Sequence, residues 1–111
     1  DNSIRGTFEI QRKKKDEIII EKTIGKALHT PGHTPGSMCF LFDSQKLLIA
    51  GDTLFNGSIG RTDLWGGDYK KIEHSIQEKL YTLDETTNVI TGHGESTTIG
   101  REMRSNNFVR A

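Results

Sequence analysis

The side chains that could carry chemistry here are few and clustered. His29 and His33 lie in His29-Thr30-Pro31-Gly32-His33-Thr34-Pro35-Gly36-Ser37, and His93 lies in Gly92-His93-Gly94. Asp52 follows Ala50-Gly51 and opens Asp52-Thr53-Leu54-Phe55. Neutral imidazole and carboxylate are the ligands of catalytic zinc or iron, and neighbouring glycines let the backbone turn so that such a side chain points into a cleft. Taken singly, each is equally well a turn residue. Standing at the ends of three apolar runs, His33, Asp52 and His93 form a candidate ligand set. His29 precedes the sharp turn by three residues, which suits a structural or ligand-orienting role better than ligation. His74 sits off the apolar stripe of a helical segment and reads as a surface residue. Cys39, inside an apolar run, reads as buried packing rather than a nucleophile.

The elements that must position these residues are short. Ile18-Ile19-Ile20 and Lys22 to Leu28 read as strands with Gly25 as a bulge or turn, and Asn88 to Thr91 reads as a strand ending at Gly92. Met38 to Phe42 and Leu47 to Ala50, joined by a polar turn at Asp43-Ser44-Gln45-Lys46, are continuously apolar, as strands covered on both faces are. Tyr69, Ile72, Ile76, Leu80 and Leu83 recur at helical spacing, which predicts a helix from Asp68 to about Leu83. A shorter helix is expected over 99–106, capped by Thr97 or Thr98. A Gly-rich loop from Gly57 to Gly67 separates strands from helix. The basic run Arg12-Lys13-Lys14-Lys15, followed by Asp16 and Glu17, reads as a solvated loop or hairpin tip. The order predicts an α+β fold whose two helices cover one face of a sheet and leave the other uncovered.

Composition sets the bounds. The chain has 111 residues, with 15 Lys+Arg against 15 Asp+Glu and no formal net charge. That balance disfavours a nucleic-acid binder. Twelve Ile, 8 Leu, 5 Phe and 2 Val make 27 residues, about 24% of the chain, enough for one small domain with a thin core. One cysteine excludes an internal disulfide framework and fits a reducing cytoplasm. No apolar run approaches a membrane span, and no signal-peptide pattern opens the chain, so a cytoplasmic protein with no membrane or nucleic-acid partner is expected.

The segments HTPGHTPGS (29–37), GDTLF (51–55), GSIGRTDLWGGD (57–68) and GHGESTTIGRE (92–102) occur in the order found in the metallo-β-lactamase superfamily, and most resemble its glyoxalase II-like hydrolases. The likeness covers residues 26–109 and leaves 1–25 as an unassigned N-terminal segment. It implies a single αβ half-domain over 1–111, half of an αββα sandwich, with one mostly antiparallel sheet and two helices on one face. It also implies two metal ions, zinc first with iron or manganese as alternatives, and hydrolysis of a thioester by a metal-bridging hydroxide. By motif, His33 would bind one metal, His93 the other, and Asp52 would bridge both and act in catalysis through the shared water. The loop carrying Arg61, Asp63 and Trp65 would lie near the site.

One departure matters: the family's His-x-His-x-Asp-His motif is absent, since the histidines stand at 29, 33, 74 and 93. The chain therefore resembles the second half of the fold, and alone is expected to bind metal weakly and to be inactive. Three readings follow. The chain is the C-terminal half of a thioester hydrolase acting on a small molecule such as a glutathione thioester; or it is a non-catalytic half-domain that dimerises or binds a partner; or it belongs to the superfamily's iron sulfur dioxygenase branch. In each, a missing N-terminal half or a second copy would cover the open sheet face.

Overall fold

The computed structural model describes residues 10–14, 17–20 and 23–111, with side chains from Gly25 onward. Nine strands form in chain order: β1 (Ile10–Lys14), β2 (Glu17–Ile20), β3 (Thr23–His29), β4 (Met38–Phe42), β5 (Leu47–Gly51), β6 (Leu54–Phe55), β7 (Ser58–Ile59), β8 (Asn88–Thr91) and β9 (Thr97–Thr98). The helices are α1 (Tyr69–Ser75), continued by a wide π-type turn over Ile76–Leu80, and α2 (Ile99–Ser105). Seven strands make one sheet in the order β1-β2-β3-β4-β5-β8-β9, while β6 and β7 pair as a separate hairpin. Every pairing is antiparallel except β5 with β8. The expected mostly antiparallel sheet with two helices on one face is therefore observed.

Register sorts the side chains. Paired residues share a face, so Leu28 and Cys39 lie with Leu41, Leu48 and Val89 on one side of the sheet. There they pack with Ile72, Ile76 and Leu80 and with Ile99 of α2. The opposite face carries the row Ala27, Phe40, Ile49 and Ile90, where Ala27, Phe42 and Ile49 form a smaller cluster edged by Met38, Phe40 and Leu47. Both faces of β4 and β5 are apolar, as their unbroken hydrophobic runs predicted. Only one is covered by helices.

Three local readings need correction. Gly25 is neither bulge nor turn but lies inside β3 opposite Ile18; a Cβ there would come within 2.5 Å of the Phe42 ring, so glycine makes room for that ring. Of the two alternatives for the basic run the hairpin fits and the loop does not: Arg12 to Lys14 belong to β1, which pairs with β2 up to Lys14 opposite Glu17, while Lys15, Asp16 and Lys22 lie outside the described residues. The long helix stops at Leu80. Residues spaced by four drift about 40° per step on a 3.6-residue helix, and the wide turn closed by Tyr81 N–H donating to the Ile76 carbonyl (2.8 Å) takes up that drift. Ile72, Ile76 and Leu80 thereby all reach zero exposure.

Caps agree more closely with expectation. Asp68 accepts the Lys71 amide at the start of α1, and Thr98, not Thr97, accepts the Arg101 amide at the start of α2. Between the helices, Asp84 accepts from the amide and hydroxyl of Thr86 and pairs with Lys46 at 3.2 Å, which lowers its carboxyl to about 2.

Leu48→Ala should lose about 2–5 kcal/mol in urea unfolding, because Leu48 is fully buried between sheet and helices. Ile90→Ala, on the face without helices and 39% exposed, should cost well under half as much. For Asp84 the folded pKa lies below the unfolded one, so its contribution is present above about pH 4 and is lost as pH falls towards 2. Asp84→Asn should flatten the acid unfolding curve in that window.

Candidate metal centre

Strand ends converge on Asp52. β5 finishes at Gly51, whose φ of 53° turns the chain and delivers Asp52 to the rim of the sheet. β8 runs parallel beside it and ends at Gly92, whose amide donates to the Gly51 carbonyl at 2.7 Å. A Cβ on Gly92 would lie 2.7 Å from both Asp52 Oδ1 and the Gly51 carbonyl, so only glycine lets His93 follow at this distance from the carboxylate. His33 arrives from the β3–β4 loop. Its predecessor Gly32 has φ 144° and packs against the Ile72 backbone so closely that a Cβ would stand 2.3 Å away.

The result is a carboxylate between two imidazoles. Asp52 Oδ2 is 3.8 Å from His33 Nε2, and Oδ1 is 3.4 Å from His93 Nε2. Both separations exceed a hydrogen bond of the usual length. Two donors sharing one zinc at about 2.1 Å and a tetrahedral angle stand about 3.4 Å apart, and farther as the angle opens. The donor set thus fits one cation on each side of Asp52, with one imidazole and one carboxylate oxygen apiece. Among the described residues no three His, Cys, Asp or Glu side chains converge on a single point. The arrangement is two pairs of candidate donors that share one carboxylate.

Neighbouring groups hold the ligands. His33 Nδ1 is 2.8 Å from the Arg61 carbonyl, which can only accept, so Nδ1 carries a proton and Nε2 is the nitrogen that faces Asp52. Phe55 meets the His93 ring edge-on, with centroids 5.7 Å apart. Gly60 donates to the Thr53 carbonyl, and a Cβ there would stand 1.8 Å from the Asp52 carbonyl oxygen. Beneath the carboxylate, Thr30, Thr53 and Cys39 form a buried polar network, with hydroxyls 3.2 Å apart and the thiol 3.4 Å from Thr30. Burial pushes the Cys39 thiol up, consistent with packing and not nucleophilic use.

The centre opens into a cleft of about 300 Å³ lined by His33, Asp52, Phe55, Ser58, Ile59, Gly60, Arg61 and His93. His93 is the most open ligand, with 78% of its side chain exposed, against 22% for His33 and 28% for Asp52. His29 does not join them. Its Nε2 donates to the Pro35 carbonyl at 2.7 Å and braces the loop that carries His33, the structural role expected of it. His74 stays on the exposed side of α1. Of the loop trio, only Arg61 lines the cleft; it forks onto Asp63, while Trp65 is 96% exposed.

Sequence reasoning gave Phe55 no role, and it placed Gly92 and the loop holding Gly60 beside the centre without the close backbone contacts that require them. The glycine run at 57–67 signalled close backbone approach, but the two-residue strands β6 and β7 are too short to show any periodicity.

The chain belongs to the metallo-beta-lactamase superfamily, whose family model matches residues 5–93. It is 49% identical over 84 residues to the hydroxyacylglutathione hydrolase GloC of Haemophilus influenzae, covering 76% of this chain and 40% of that protein. It is 43% identical over 113 residues to the probable metallo-hydrolase YqgX of Bacillus subtilis, covering 96% of this chain and 53% of that one. Two solved structures share its fold at 42% identity: the BLEG-1 B3 metallo-beta-lactamase, with a TM-score of 0.82 over 90% of this chain and 48% of that one, and TTHA1623 in a di-iron-bound form, with 0.74 over 77% and 42%. The chain spans about half the length, or less, of these relatives.

Gly60→Ala should force the hairpin off the Asp52 main chain. A loss of about 1–3 kcal/mol in stability is expected, together with shifted ring-proton resonances of His33 and His93 in NMR spectra.

Proposed function

We propose that this chain supplies the Asp52-centred half of a dinuclear metal-dependent hydrolase, with His33 and His93 as ligands on opposite sides of the bridging carboxylate. The observation that carries the proposal is the geometry of Asp52, whose two oxygens face two different imidazoles at distances suited to a shared cation and too long for direct hydrogen bonds. Bound metal ions, zinc first with iron or manganese as alternatives, would supply water acidified towards neutrality and polarisation of a carbonyl. The chain's own residues orient that chemistry. Arg61, through its carbonyl, fixes the His33 tautomer, and the cleft wall from Phe55 to Arg61 bounds the space a substrate would enter.

The substrate class we propose is a thioester, with a glutathione thioester as the first candidate; the name and identity of the GloC relative support that choice. Two protein ligands per ion are fewer than the three or four that hold zinc firmly. The remaining ligands, on this reading, come from an N-terminal half of the family fold, which would also cover the Phe40, Ile49 and Ile90 face. A cytoplasmic location accords with the single reduced cysteine, and no described helix is long and apolar enough to cross a membrane. The competing reading, a half-domain that dimerises through the same apolar face without catalysis, rests on that face alone.

Calorimetric zinc titration of the chain and of its His33→Ala, Asp52→Ala and His93→Ala variants tests the proposal. Weak binding that falls at least about tenfold in each variant is expected, since losing a ligand should cost no less than losing a group that merely orients one. The chain alone should not hydrolyse S-lactoylglutathione, and adding a folded half that carries the His-x-His-x-Asp-His motif should restore turnover. Zinc binding indifferent to all three substitutions would overturn the assignment.

A further inference from the structure

Among the described residues, one carboxylate is removed entirely from solvent, and it lies outside the candidate metal centre. Glu102 of α2 has zero exposure, and a charge so placed is tolerated only when every oxygen is satisfied. Its Oε1 accepts the Gly57 amide at 2.9 Å and the Asn106 side-chain amide at 2.8 Å, while Oε2 accepts the Thr97 hydroxyl at 2.6 Å. No cation pairs with it among the described residues.

Gly57 is the turn of the β6–β7 hairpin, and the hairpin reaches all three candidate ligands. Phe55 abuts the His93 ring, Gly60 lies against the Asp52 main chain, and the Arg61 carbonyl just beyond holds His33 Nδ1. The same turn is fastened to α2 by Asn106, whose amide also donates to the Ser58 carbonyl at 3.0 Å, and by the Asn107 amide, which donates to the Gly57 carbonyl at 3.2 Å. A two-residue-strand hairpin has too few bonds of its own to hold a position.

We propose that Glu102 is a positioning residue: its buried carboxylate anchors the hairpin turn and so sets the wall that orients His33, Asp52 and His93. This rests on the reading of those three as metal ligands. An apolar side chain of similar length would fill much the same volume. What such a replacement removes is the acceptor for the Gly57 amide, the Asn106 side-chain amide and the Thr97 hydroxyl together, and donors left buried without a partner cost stability.

Glu102→Met and Glu102→Gln separate anchoring from packing, with Ile76→Val as a stability control that leaves the hydrogen bonds of Glu102 and Asn106 in place. Two readouts are taken on the full chain: NMR hydrogen exchange at the Gly57 amide together with the His93 ring-proton shifts, and calorimetric zinc affinity. Glu102→Met should speed Gly57 exchange at least about tenfold, move the His93 ring shifts and weaken zinc binding about tenfold. Glu102→Gln, which keeps an acceptor oxygen, should stay within about threefold of the parent in each. Ile76→Val should leave all three unchanged at a comparable loss of thermal stability. A folded Glu102→Met protein with parental Gly57 protection and parental ring shifts would overturn the inference, as would loss of zinc affinity to the same extent in Ile76→Val. If the parent chain binds no zinc, the ligand assignment fails, and the exchange and ring-shift readouts still decide whether Glu102 anchors the hairpin.

Discussion

The molecule is organised around a carboxylate that must stand between two imidazoles. A carboxylate facing two cation positions requires three separate backbone segments to meet within a few ångströms, and main-chain atoms ordinarily keep one another farther apart. The fold meets this demand by ending two parallel strands side by side. Gly51 turns Asp52 out of β5, Gly92 lets the end of β8 close on it, and Gly60 admits a third segment against its main chain. Gly60 and Gly92 answer contacts of 1.8 and 2.7 Å that any Cβ would make, and Gly51 supplies a φ of 53°. The position of Asp52 is therefore set by backbone proximity and only secondarily by side-chain bonds.

That geometry draws on a sheet of unequal faces. The helix side is packed to zero exposure at Leu48, Ile72, Ile76, Leu80 and Ile99, which makes β5 and β8 a rigid base for their own ends. The other side presents Phe40 and Ile49 in an apolar row ending at the partly exposed Ile90. Strands in the middle of such a sheet need cover on both sides. The same asymmetry holds in the centre, where His33 is enclosed and braced while His93 is open on its outer side. The chain covers 40% of the GloC relative and 53% of the YqgX relative, and among the described residues its helices pack on one face of the sheet.

Much of this was legible in the sequence. Apolar runs located β4, β5 and β8, spacing located α1 because burial of one stripe imposes a period, and the Thr98 cap located α2. Asp52 and His93 could be singled out as candidate ligands because Gly-Asp and Gly-His-Gly stood at the ends of those runs. Other features were not. The π-type turn after Ser75 comes from the accumulated drift of residues spaced by four, which a helical pattern does not distinguish from an ordinary helix. Gly25 marked no break, because its small size serves the Phe42 ring on the neighbouring strand, a contact between residues seventeen positions apart. Glu102 looked like any surface glutamate of an amphipathic helix; its burial follows from the Gly57 turn 45 residues earlier in the chain, and no local pattern encodes that.

Anomalous diffraction from crystals of the chain grown with millimolar zinc tests the central claim most directly. The account predicts two zinc peaks flanking the Asp52 carboxylate, one shared with His33 Nε2 and one with His93 Nε2. A single peak on one side would contradict the bridging role of Asp52, and peaks confined to other histidines such as His74 would contradict the metal centre altogether.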